Sequence, residues 1–177
     1  IHTMSVQYDQ RTFTGMDMLR YYLLKTEPFD LNVVWNKIFK LDLFNGVVPV
    51  RFPKGRVQED NFTIFMLFLN ANSIVTVNEP LYYYVQRAGS IMATFTRRFM
   101  IDTIESHIYM SDYLMNHCSS VKNELQLYLL NSYVELSRRV CANKCKKEYN
   151  DLLIQYKHYV LDHTCLLYTS PSPRDRQ

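Results

Sequence analysis

An α/β portion followed by an all-α extension is the fold class this sequence predicts, on three observations. Up to about residue 87, helical and strand-like patterns alternate. From Phe95 onward, apolar residues recur only at helical spacing. The 177 residues are 47% hydrophobic and 21% charged, enough apolar material for an ordered core.

Taken in order, Thr14 is placed to cap a helix carrying the stripe Met16, Leu19, Tyr22 and Leu23, which ends near Thr26 ahead of Pro28. Residues 32–40 mix β-branched and aromatic side chains, predicting a strand that passes into a short helix at 41–45, with Gly46 as its stop. Phe62, Ile64, Phe65, Met66, Leu67, Phe68, Leu69 and Ala71 are apolar nearly all round, the mark of a buried helix. Ile74–Val77 alternates like a strand, Pro80 breaks it, and Leu81–Val85 reads as a second strand. Beyond Phe95, three helices are expected, with breaks near 116–120 and 142–147.

Glu59-Asp60 opens the most apolar segment of the chain. In a first helical turn, carboxylates are favoured by the helix dipole and can accept free backbone N–H groups, so capping alone is one reading. The flanks add a second. Trp35-Asn36-Lys37, Arg51-Phe52-Pro53-Lys54-Gly55, Glu59-Asp60, Asn78-Glu79-Pro80-Leu81-Tyr82-Tyr83-Tyr84, Gln86-Arg87 and Ser90-Ile91 follow one another at short spacing. This order resembles the second half of the catalytic domain of family 2 glycosyltransferases, the inverting enzymes that build bacterial capsular and exopolysaccharides. The likeness covers about residues 30–95.

The resemblance implies a partial GT-A fold of the nucleotide-diphospho-sugar transferase type over residues 1–94, holding the acceptor side and the catalytic base, and a helical extension over 95–164. It gives Asp60 the role of general base and Glu59 that of its supporting neighbour. An alcohol is a weak nucleophile at neutral pH, and a carboxylate that takes its proton during attack is worth roughly 10²–10⁴-fold. Arg87, with Gln86, is the expected contact to the donor phosphates, because a guanidinium holds two oxygens at once. Relatives often carry a further Arg where this chain has Val85, which leaves the exact contact open. Trp35, Asn36 and Lys37 are the expected acceptor contacts, an aromatic face being a common support for a sugar ring. A divalent ion, Mn²⁺ or Mg²⁺, is implied for the full-length enzyme. Its Asp-x-Asp ligands are absent from this chain, and in the family they lie upstream. The implied partners are a nucleotide-diphospho-sugar donor and a saccharide or lipid-linked saccharide acceptor.

Position 1 is not Met and no signal-peptide pattern follows it, so the chain reads as a fragment. Residues 165–177 read as a translated sequencing-adapter tail, outside the fold. The formal charge is +3; Arg174 and Arg176 against Asp175 supply one unit, leaving two. That balance is too weak to argue for nucleic acid and no nucleic-acid motif stands beside it, so no nucleic-acid partner is expected. No apolar run reaches bilayer length. Cys165 falls in the tail, and the odd set Cys118, Cys141 and Cys145 suits a reducing cytoplasm; Cys141 and Cys145, one helical turn apart with no further ligand to complete a metal site, are expected as core thiols. His2, His107, His117, His158 and His163 read as surface or satisfied residues. Arg138, Arg139, Lys144, Lys146 and Lys147 form a basic cluster, a solvated face or a peripheral contact with anionic lipid at the inner face of the cell membrane. Two alternatives remain open at this point: a non-catalytic helical interaction module and a degenerate, sugar-binding transferase.

Overall fold

The structure, a computed structural model, describes residues 10–26, 30–46, 48–85 and 95–164. Two compact units divide the chain, residues 1–113 and 114–177. Gln86, Arg87, Ser90, Ile91, His2 and the expected tail at 165–177 lie outside the described residues.

The first unit begins with β1 (Thr12–Phe13), which pairs antiparallel with β2 (Ile74–Val75) in the register Thr12 to Val75 and Phe13 to Ile74. Helix α1 (Gly15–Leu24) starts at Thr14, as its sequence predicts. The Thr14 hydroxyl accepts the Asp17 N–H at 3.1 Å, and Asp17 accepts the Thr14 N–H at 3.1 Å. Two orphan donors of the first turn are satisfied together. The helix closes on Lys25, which takes the left-handed conformation at φ 52°. Met18, Leu19, Tyr22 and Leu23 form its buried face.

Helix α2 (Glu59–Asn70) is the centre of this unit: Thr63 to Phe68 are all buried, and each large apolar side chain removed from water stabilises by about 1.5–3 kcal/mol. Its C-terminal end meets the start of α1 so closely that backbone faces backbone at Gly15. Tyr22 packs edge-on against Phe68 with ring centres 6.1 Å apart. Most of α3 (Arg97–His117) also belongs here, and Tyr109 and Tyr113 set their rings against Phe65 at 6.0 and 5.6 Å. His107 takes the satisfied and not the surface reading: it is buried, and that burial pulls its pKa down to about 3. The unfolded chain therefore takes up a proton near pH 6.5 that the folded one refuses. Stability is expected to fall as pH drops from about 6.5 toward 3, at up to about 1.4 kcal/mol per unit. Acid melting curves of His107→Gln that keep the wild-type slope in this window would refute it.

Two expected strands are absent. Residues 32–40 are irregular up to a 3-10 turn at Leu41–Phe44. The backbone groups a strand would need are spent locally: the Val33 carbonyl on Lys37 Nζ, the Val34 carbonyl on the Lys37 N–H at 3.2 Å, and the Val34 N–H on Asp60. The β-preference of Val33 and Val34 reflects packing on a pleated surface, and none is offered here. Leu81–Val85 is likewise not strand, and all five side chains are exposed. Without a buried face there is nothing to set a register.

The second unit is a helical hairpin. The end of α3 leads through a 3-10 turn at Ser119–Val121 into α4 (Lys122–Ala142) and α5 (Lys146–Thr164), so all three helices and both breaks lie where the spacing predicts. Leu125, Tyr128, Leu129, Leu136 and Val140 of α4 are buried, as are Tyr149, Leu153, Tyr156 and Val160 of α5. Gln126 seals the far end by donating to the His163 carbonyl at 3.0 Å. The core expectation for Cys141 and Cys145 fails: Cys141 is exposed, and Cys145, like Cys118, is only half-buried. Among the described residues, no helix is long and apolar enough to cross a membrane.

Candidate functional site

Asp60 stands in the first turn of α2. The N-cap is Gln58, which makes no side-chain cap, and Asp60 reaches instead to the 30–37 loop, where its Oδ2 accepts the Val34 N–H at 3.2 Å. The carboxylate is half-buried. Burial pushes its pKa up; the Val34 N–H and the Lys37 charge pull the other way, Glu59 and Asp30 add to the rise, and the net position is above the ordinary Asp value. A raised carboxylate is a stronger base than an exposed one. Glu59, directly before it, is half-buried and contributes repulsion that sharpens this effect.

The loop opposite Asp60 is built around one ammonium. Lys37 Nζ donates to the Asp30 carbonyl at 3.0 Å, to Asn36 Oδ1 at 2.7 Å and to the Val33 carbonyl. Three donors meet three acceptors. Asn36 Nδ2 adds a bond to the same Asp30 carbonyl at 3.1 Å, and the Asp30 carboxylate accepts the Asn32 N–H at 3.2 Å. Burial draws the Lys37 pKa down to about 8, against the pull of Asp30 and Asp60. Of the three residues expected at the acceptor, Lys37 has thus committed its hydrogens within the loop, while Trp35 and Asn36 remain exposed.

Trp35, next in chain to Val34, is 38% exposed and stacks with Tyr82 and Tyr84, each with ring centres 4.9 Å apart and planes within 30°. Tyr83 is 81% exposed, and none of the three tyrosines is buried. The three rings form an exposed aromatic cluster in which Trp35 is stacked by two tyrosines.

A second carboxylate was not singled out by its sequence. Asp102 on α3 has no exposed side-chain surface, yet it accepts from Arg56 Nη1 at 2.8 Å, from the Val57 N–H at 2.8 Å and from Arg98 Nε at 3.0 Å. Arg56 also pairs with Glu105, and Arg98 donates to the Gly55 carbonyl at 2.8 Å. Gly55 itself lies at φ +73°, where a side chain would be strained. Burial alone would raise the Asp102 carboxyl; its three donors outweigh that and hold it below the usual range. The basic turn Arg51–Arg56 is thereby pinned just ahead of Asp60. One sequence signal was available: Asp102 falls three residues after Phe99 and on the same inward stripe, where a solvated charge does not belong.

Asp102→Ala is expected to cost about 2–3 kcal/mol, the lower part of the range for stranding charged partners, since Arg56 and Arg98 keep some exposure. Because the folded pKa is depressed, this stability is present above the unfolded pKa near 4 and drains as pH falls through the folded value. Denaturant melts at pH 7 and pH 3 measure it; a variant as stable as wild type at pH 7 would remove Asp102 from this role.

Among the described residues, no group of three His, Cys, Asp or Glu side chains gathers to hold a metal. The described residues therefore make no site for the divalent ion that the sequence resemblance implies.

Asp60 is thus a half-buried carboxylate of raised basicity, bonded to the loop that carries Trp35. Comparison with known proteins finds two relatives. Over 58 residues the chain is 43% identical to glycosyltransferase GlyG of Streptococcus pneumoniae serotype 4, a match covering 33% of this chain and 18% of that protein. Over 129 residues it is 22% identical to glycosyltransferase GlyA of the same organism, covering 72% of this chain and again 18% of the relative. The chain thus spans under a fifth of the length of these curated relatives. No family model matches it. No solved structure matches it either.

Proposed function

We propose that this chain is part of a glycosyltransferase and that it carries the acceptor side of an inverting, GT-A type active site. The observation that carries the reading is Asp60: a carboxylate of raised pKa at the start of the most buried helix, fixed by one oxygen to the Val34 N–H and lying beside the Trp35 loop. The likeness to two streptococcal glycosyltransferases supports it.

In this reading an acceptor saccharide rests on Trp35 and the Tyr82–Tyr84 pair, and Asp60 takes the proton of its attacking hydroxyl. The oxygen displaces the nucleoside diphosphate from the anomeric carbon of the donor sugar. The proton ends on Asp60 and the bonding electrons leave with the diphosphate. One displacement inverts the anomeric centre, so a single base is enough. Glu59 raises the basicity of Asp60, and Arg87 with Gln86 is assigned to the donor phosphates. A Mn²⁺ or Mg²⁺ ion held elsewhere in the whole enzyme, a role in cell-surface polysaccharide synthesis and a cytoplasmic site at the membrane face belong to the same proposal. Replacing Asp60 with Asn in the whole protein tests it: transfer collapses while donor binding survives.

A further inference from the structure

One peptide group joins the loop ammonium to the base. The carbonyl of the Val33–Val34 peptide accepts from Lys37 Nζ, and the N–H of that same peptide donates to Asp60 Oδ2. We propose that Lys37 is a positioning residue for Asp60, acting through this shared peptide to orient the carboxylate and set its basicity. The inference rests on Asp60 being the base.

The peptide unit is planar and stiff, so a grip on its oxygen fixes the direction of its N–H. A cation on the oxygen also polarises the group and makes the N–H a better donor, since hydrogen bonds in chain strengthen one another at low dielectric. Lys37 holds the neighbouring turns as well, through the Asp30 carbonyl and Asn36 Oδ1, so the Val33–Val34 peptide cannot swing away without breaking the cluster. The result at Asp60 is asymmetric. Oδ2 is occupied by Val34, whereas among the described residues Oδ1 accepts no hydrogen bond and is the atom left to receive a proton. The charged groups facing Asp60 are Glu59 from α2 and Asp30 and Lys37 from the loop. Lys37 is the one cation of that set, and it keeps the carboxylate from rising further.

The test reads Asp60 directly, so its result stands whether or not sugar is transferred. The side-chain carboxyl carbon of Asp60 is followed by NMR against pH in the 177-residue chain, with Asp60→Asn to assign the signal. Lys37→Met is expected to move the Asp60 midpoint to higher pH, because removing a nearby cation disfavours the carboxylate. Arg51→Met is the control. Arg51 staples its own loop in the same fashion, bonding the carbonyls of Phe44 and Val50 at 2.6 and 2.7 Å and Asn45 Oδ1 at 2.9 Å, and its loss is expected to leave the midpoint in place. An unmoved midpoint in Lys37→Met, or an equal shift in Arg51→Met, overturns the proposal. Should Lys37→Met fail to fold, the wild-type chain decides: the Val34 amide nitrogen is expected to shift as Lys37 loses its proton near pH 8, and a flat Val34 signal through that range refutes the peptide link.

Discussion

Asp60→Asn in the whole enzyme is expected to lower sugar transfer by roughly 10²–10⁴-fold, the usual contribution of a positioned general base, while nucleotide-sugar affinity stays nearly constant. An amide keeps the shape of the side chain and its oxygen can still accept the Val34 N–H, but it cannot take the acceptor's proton. The loss then falls on kcat and kcat/KM together, the pattern of an interaction made in the transition state alone. Folding should hardly notice, with a change within about 1 kcal/mol. The sign is set by the direction of the pKa shift: a carboxyl whose folded pKa is raised favours the fold below its unfolded pKa and works against it as pH rises through the folded value. At neutral pH the Asn variant should therefore match the wild type or slightly exceed it. Glu59→Gln should cost less activity, since Glu59 acts only by repulsion. An Asp60→Asn enzyme retaining more than about a tenth of the wild-type rate, or a Glu59→Gln enzyme more impaired than it, would take the base role away from Asp60.

The largest expected loss of stability is at Gly15. A Cβ there would lie 1.9 Å from the Phe68 carbonyl oxygen and 2.4 Å from that of Ala71, far inside contact distance. These are backbone atoms at the end of α2, so no side chain can turn aside to make room. Alanine must push α1 and α2 apart, drawing Tyr22 away from Phe68. Gly15→Ala is expected to cost about 3 kcal/mol or more, at or above the upper end for overpacked sites. Urea melts of the single variant measure it, and a midpoint within error of wild type would mean that the two helices are not in contact there.

What could be read in the sequence was what depends on near neighbours. Thr14 and Asp17 announce a helix start because their bonds span three residues, and the three C-terminal helices are visible because their stripes repeat within each helix. The run Phe62–Phe68 declares its own burial. The failures turn on which groups meet in space. Val33 and Val34 look like strand until Lys37 and Asp60 take their peptide groups. Leu81–Val85 has the right residue types but, among the described residues, no strand partner. Trp35 meets Tyr82 and Tyr84 across more than forty residues of chain, and the pairing of Asp102 with Arg56 across 46 positions leaves no periodic trace. Within the site, the carboxylate pair and the Trp could be picked out by type. The role of Lys37 could not, because it depends on which way three carbonyls face.

The Asp102 cluster also sets how this protein can be taken apart. Helical periodicity begins at Phe95, and a designer of truncations or chimeras would cut there, keeping what precedes it as the catalytic piece. Yet the turn Arg51–Arg56 is anchored by a carboxylate seven residues beyond that seam and by Glu105 beyond it. A piece ending at residue 94 would leave Arg56 and the Val57 N–H without their acceptor, directly upstream of Asp60. Exchange of the helical extension between relatives must therefore place its junction after Glu105, with the first turns of α3 travelling with the site they steady.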